Sequence, residues 1–212
     1  MVIKKVFWVL FVLLAALMGI YPFIFYVLKI PFGIMTVKPA LTLVKIEWRI
    51  PFHVHIVMGA IAILTGWVQF IRKWREGNLK FHRMIGFVYL ASVVVSGMAG
   101  IVISFDANGG TSAFLALFLA SFLWVTITLM AYYFVLQRKI NLHRKLMVYS
   151  YAFTFAGVTL RLWLPTLATA LGDFDRAYDF ATWLAWLVNL AVAMFINEKG
   201  KVDSKEIKRK EH

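Results

Sequence analysis

Six long apolar stretches constrain this chain more than any other feature. They run roughly over residues 6–28, 51–71, 83–104, 113–136, 146–168 and 179–197. A helix crossing the hydrocarbon layer of a bilayer needs about 20 mostly apolar residues. Backbone in that layer must satisfy its own hydrogen bonds, which leaves the helix as the natural form for such runs. The pattern predicts an all-α integral membrane protein with six transmembrane helices. Residues 1–198 form the transmembrane domain and residues 199–212 a polybasic cytoplasmic tail. The first stretch follows Lys4 and Lys5, as a signal peptide would. Its apolar run is longer than a cleavable segment needs, so it reads as a retained span.

Composition agrees. Hydrophobic residues make up 62% of the chain and charged residues 16%, against about one half and one quarter in soluble domains. There is no cysteine, which excludes disulfides, thiolate metal sites, iron–sulfur clusters and c-type haem attachment.

The net charge of +13 resembles a nucleic-acid signature until its placement is considered. Of 23 Lys and Arg residues, 17 fall in the N-terminus, the 72–83 and 137–145 loops and the tail. Five fall in the opposite connections, and Arg161 lies within a span. The positive-inside rule then places both termini of a multi-pass membrane protein in the cytoplasm. The basic tail is suited to anionic lipid, and nucleic acid is excluded as a partner. The opposite loops carry Asp106, Asp173, Asp175 and Asp179. Residues 29–50, with Pro31 and Pro39, are the longest connection and have room for a short interfacial segment.

Polar side chains inside a membrane usually face the bundle interior. At 100° per residue, several align. The second span gives His55, Gly59, Ala62, Gly66 and Gln69. The third gives His82, Gly86, Tyr89, Ser96 and Gly100. The fourth gives Ser121, Val125, Thr128 and Tyr132, and the fifth His143, Met147, Ser150, Thr154, Gly157 and Arg161. Spans 2–5 therefore form a four-helix core, with spans 1 and 6 flanking it. Small residues also line ordinary helix contacts in membranes, so stripes alone do not make a site.

Three of the four stripes begin with a histidine. His53 and His55 lie about 200° apart on a helix and cannot share a ligand; His55 has the glycine stripe beneath it, while His53 faces headgroups or the preceding loop. His212 ends the tail. His82 and His143 are one out-and-back hairpin apart, which returns them to the same depth. Two such imidazoles can hold one haem iron. Gly86, one turn from His82, leaves room for a flat macrocycle. Arg83 and Arg144 stand where guanidinium groups could pair with propionates. The competing reading makes each His-Arg pair an interfacial anchor, with Arg reaching to the headgroups. A closed zinc site lacks donors. Arg161, on the histidine face, calls for a partner at its depth: Asp106, another loop aspartate, a propionate or a quinone carbonyl, or else Asp173 or Asp175 by snorkelling outward.

The stretches "HIVMGAIAILTGWVQF", "KFHRMIGFVYL" and "LHRKLMVYSYAFTFAGVTLRLWLP" resemble a bacterial family of predicted membrane proteins, domain of unknown function 2306. That family implies no activity. A looser resemblance is to cytochrome b561, in which a four-helix core pairs haem ligands between its first and third and its second and fourth helices. His82 and His143 match the second pair. His55 matches one ligand of the other, and "TSAFLALFLAS" supplies no histidine to complete it. Met98, off the main stripe, is a weak substitute.

The expected function is that of a membrane oxidoreductase similar to cytochrome b561. It would hold haem b between the metal ligands His82 and His143, and pass electrons between a quinol and a redox partner. His55 and Arg161 would form an outer pocket for quinone or a second cofactor. The alternative is a non-redox membrane protein, either a small transporter or an accessory factor, with structural histidines. Homodimerisation is compatible with both.

Overall fold

The computed structural model describes residues 2–28 and 33–210. Pro31 and His212 lie outside the described residues. The elements are helix α1 (Val2–Leu28), a 3-10 turn (Gly33–Thr36), α2 (Ala40–Val44), α3 (Ile46–Gly66) prolonged by a 3-10 turn (Trp67–Phe70), α4 (Arg72–Gly77), α5 (Leu79–Ser104), α6 (Gly110–Leu136), α7 (Ile140–Leu171) and α8 (Phe174–Lys210). Among the described residues there is no strand.

Five helical stretches are long and apolar enough to cross a membrane: Lys5–Leu28, Ile46–Phe70, Leu79–Ser104, Gly110–Leu136 and Phe174–Lys199. The remaining long helix, α7, is less apolar because it carries Arg161 and a run of hydroxyl side chains. It is nonetheless packed between α6 and α8 and against α3 and α1. Within the connection of residues 29–50, the described part carries the first 3-10 turn and α2. Lys38 holds it down by donating to the Asp106 carbonyl, and Lys45 approaches the Asp106 carboxylate at 3.9 Å.

Short turns set the up-and-down order. The Asn78 side chain accepts from the Phe81 N–H at 2.9 Å and starts α5, satisfying one donor at the helix N-terminus. Gly172, with φ of 63°, ends α7 and lets α8 begin two residues later. Helix α6 ends less comfortably. The Lys139 N–H bonds the Phe134 carbonyl at 2.9 Å and the Arg138 N–H bonds the Val135 carbonyl at 3.0 Å. This is a Schellman closure with Arg138, at φ 57°, in the left-handed position that glycine prefers.

The core gathers Ala15, Ala62, Ile63, Tyr89, Val93, Trp124, Tyr151, Phe153, Val158 and Trp186. Because α1 and α8 contribute to it, the flanking role expected for spans 1 and 6 is incomplete. Alanines Ala177, Ala181, Ala185 and Ala193 are buried along α8, where small side chains let helices approach closely. Asn189 donates across the α7–α8 seam to the Ala152 carbonyl at 3.0 Å and to Thr159 at 2.9 Å.

Candidate functional site: two cavities and the hydroxyl layer between them

Two cavities open inside the bundle, one toward each end, and no residue lines both. The first, of about 800 Å³, lies at the end rich in Lys and Arg. His82 and His143 both line it. Each is the fourth residue of its helix, and α5 and α7 both start at this end. Both therefore stand one turn into their helices at the same end of the bundle and share one cavity.

The His143 ring has a defined tautomer. Its Nδ1 lies 2.9 Å from the Ala131 carbonyl oxygen on α6. A carbonyl only accepts, so Nδ1 carries the proton, and in the neutral ring the lone pair is then on Nε2. The His82 ring is met by Gln69 instead. With its amide nitrogen toward the ring, Gln69 donates to His82 Nδ1 and to the His82 carbonyl at 3.3 Å, while its oxygen accepts from the Gly86 N–H at 3.1 Å. Gly86 faces open space, since a Cβ placed there would come no nearer than 4.0 Å to Gln69. Gly66 differs: a Cβ there would overlap the Tyr151 ring and crowd Tyr89.

Arg83 and Arg144 line this cavity as expected, and Arg75 and Arg138 join them. The Nε of Arg75 is buried with no hydrogen-bond partner among the described residues. Four guanidinium groups thus ring a mostly apolar space. The sequence reading missed Arg75 and Arg138, because their positions depend on the short helix α4 and on the left-handed turn after α6.

The second cavity, of about 450 Å³, lies toward the other end, between α3, α5, α6 and α7, with α1 and α8 closing its sides. His55 and Arg161 line it together. His55 Nδ1 lies 2.9 Å from the Ser96 carbonyl, which again puts the proton on Nδ1 and leaves Nε2 free. Ser96 Oγ donates to the His55 carbonyl at 2.8 Å, and the missing side chain of Gly100 makes room for the ring. His53 is separate. The Tyr26 hydroxyl on α1 meets its Nδ1 at 2.6 Å, so it binds a neighbouring helix rather than headgroups or a loop.

Arg161 pairs with none of the aspartates considered for it. Asp106 is engaged by Lys38 and Lys45, and Asp173 by Arg176 at 3.6 Å. Arg161 instead donates to the Gly157 carbonyl at 2.9 Å and lies over the Tyr21 ring at 5.4 Å. The Gly157 bond turns the guanidinium back down α7, away from the nearer helix end. Ten residues, about 15 Å of helix, separate Arg161 from Leu171. Met98 is 55% exposed and absent from both cavities.

Between the cavities lies a buried polar layer. The Tyr89 hydroxyl meets Ser150 Oγ at 2.7 Å and Thr154 Oγ1 at 2.8 Å. Thr128 meets Ser150 at 2.6 Å and the Trp124 indole donates to Thr154 at 3.1 Å. Tyr89 and Thr128 face the larger cavity, whereas Trp124 and Thr154 face the smaller. Among the described residues, no three His, Asp or Glu side chains gather to hold a metal ion.

No curated protein and no solved structure matches the chain. The family model for predicted membrane proteins known as DUF2306 matches residues 52–197, well over half the chain, and the protein belongs to that family.

Proposed function

We propose that this protein is a b-type haem protein of the membrane, with the haem seated in the larger cavity between His82 and His143. The observation that carries the reading is the His143–Ala131 hydrogen bond, which takes up Nδ1 and leaves Nε2 for a ligand on a residue that shares the cavity with His82. Ligating histidines characteristically donate their other ring N–H to a carbonyl or carboxylate. The donor set fits the group: two imidazoles, four arginines for two propionates, and a wall left flat by Gly86. When bound, the haem supplies one-electron chemistry while the protein positions and tunes it.

The chain's own residues would divide the work. Ala131 holds the proton on His143 Nδ1. Gln69 sets the His82 tautomer: with its nitrogen toward the ring it makes Nδ1 the acceptor and leaves the proton on Nε2. Ligation through Nε2 would require the amide to turn its oxygen toward the ring. Arg75, Arg83, Arg138 and Arg144 provide charge-assisted donors at the water-facing rim. Phe87, Leu90 and Val148 keep the interior dry. In this reading α7 completes a sixth crossing, both termini lie in the cytoplasm, and electrons pass between a quinol and a partner.

The test is a dithionite-reduced minus oxidised visible spectrum of protein purified after expression with ample haem. A b-type α band lost in both His82→Ala and His143→Ala supports the assignment. A colourless protein overturns it and leaves the histidines as structural groups.

A further inference from the structure

The smaller cavity holds donors and an acceptor that the folded chain leaves open. Arg161 stands at its open edge, its charge met by one carbonyl and one aromatic face and by no carboxylate among the described residues. An arginine at membrane depth is costly without a partner or water. The indole Nε1 of Trp186, a residue 6% exposed that lines the same cavity, is buried with no hydrogen-bond partner among the described residues. A buried donor left unmet is destabilising. On the opposite side of the balance, His55 Nε2 is a lone-pair acceptor. The remaining surface is chiefly apolar, with Phe52, Ile63 and Phe153 among its walls.

A ligand that completes this set needs a hydroxyl to give to His55, oxygen acceptors for Arg161 and Trp186, and an apolar body. A fatty acid offers one polar end and so leaves part of the set unmet. A hydroquinone ring offers oxygens at both ends. We propose that this cavity binds the head group of a lipid-soluble quinol or quinone, with His55 accepting from the quinol hydroxyl and Arg161 and Trp186 donating to the ring oxygens. The site stands on its own residues and does not depend on haem in the other cavity.

The experiment is equilibrium binding of decyl-benzoquinone, its hydroquinone and oleate to the full chain in nanodiscs, followed by tryptophan fluorescence and by the rise in Tm. Both quinone forms should bind, with affinity falling tenfold or more in Arg161→Met and several-fold in Trp186→Phe. The latter keeps the ring packing and removes only the N–H. His55→Phe should weaken the hydroquinone more than the quinone. His82→Ala should bind both forms as the unmodified protein does, so a failed haem assignment leaves this result readable. Equal affinity across all variants overturns the proposal. So does Arg161-dependent binding of oleate without binding of either quinone form.

Discussion

The ring of His143 on α7 is tied to the backbone of Ala131 on α6 by a 2.9 Å hydrogen bond from Nδ1–H to the carbonyl. A histidine serving only as a surface anchor needs no such partner, and a carbonyl that accepts it fixes which nitrogen remains basic. The expectation for three of the five histidines divides accordingly. His82→Ala and His143→Ala each abolish the reduced-minus-oxidised band. His53→Ala leaves the band intact and costs about 1 kcal/mol through the lost Tyr26 contact. Visible spectra and thermal melts of the three purified variants check this.

Two glycines on the same stripes should behave oppositely. Gly66→Ala drives a methyl group into Tyr151 and destabilises by about 1–3 kcal/mol, as overpacking does. At Gly86 an added Cβ comes no nearer than 4.0 Å to Gln69, so Gly86→Leu should keep the fold while its side chain occupies the larger cavity and lowers haem content at least several-fold. Melting temperature read together with haem per protein separates the two effects.

Arg138 occupies a left-handed position that glycine takes without penalty. Arg138→Gly should therefore stabilise the α6–α7 turn by about 1 kcal/mol. The same change removes one of four guanidinium groups from the larger cavity and should weaken haem retention. A higher Tm of the haem-free protein with faster haem loss is the expected pair of results. A lower Tm contradicts the strain argument.

Tyr89→Phe deletes a hydroxyl that contacts both Ser150 and Thr154. Those two side chains stay buried, so the loss should be about 1–3 kcal/mol. Ser150→Ala should cost less in the Tyr89→Phe background than alone, because the shared bond is already gone. A double-mutant cycle measured by denaturation in mixed micelles reports the coupling.

Burial pushes the Lys38 amine below its ordinary pKa, and the nearby Asp106 charge opposes that shift only in part. A lysine depressed in the folded state releases its proton before the unfolded chain does. Between the two pKa values the unfolded state binds more protons, so stability rises with pH across that window. Lys38→Met should remove this slope while also losing the donation to the Asp106 carbonyl. Tm against alkaline pH for the two proteins tests it.

Five of the expected spans were legible because length and hydropathy alone identify them, whereas α7 is long but less apolar. The ends were less so: α3 begins at Ile46, ahead of Pro51, and α7 continues past Pro165 to Leu171. Both prolines sit inside their helices, where the missing N–H removes an i→i−4 hydrogen bond, so the sequence alone favours a helix boundary there. The inward stripes were legible because polar groups have few other places to face in hydrocarbon. The role of α1 and α8 was hidden, since alanines such as Ala15 and Ala181 read simply as apolar. Trp124 and Trp186 were hidden for a related reason: periodicity counts an indole as hydrophobic, and only coordinates reveal what its N–H meets.

The hydroxyl layer around Tyr89 also determines where an electric field would act. Wherever the two cavities hold water or polar groups, the conducting media approach each other to within the thickness of that layer, and the transmembrane voltage falls mainly across it. Moving one elementary charge through a full 100 mV drop is worth about 2.3 kcal/mol. A proton or electron passing between the cavities would do nearly all of its electrical work over the short distance from Tyr89 to Thr154, within a small fraction of the membrane's thickness.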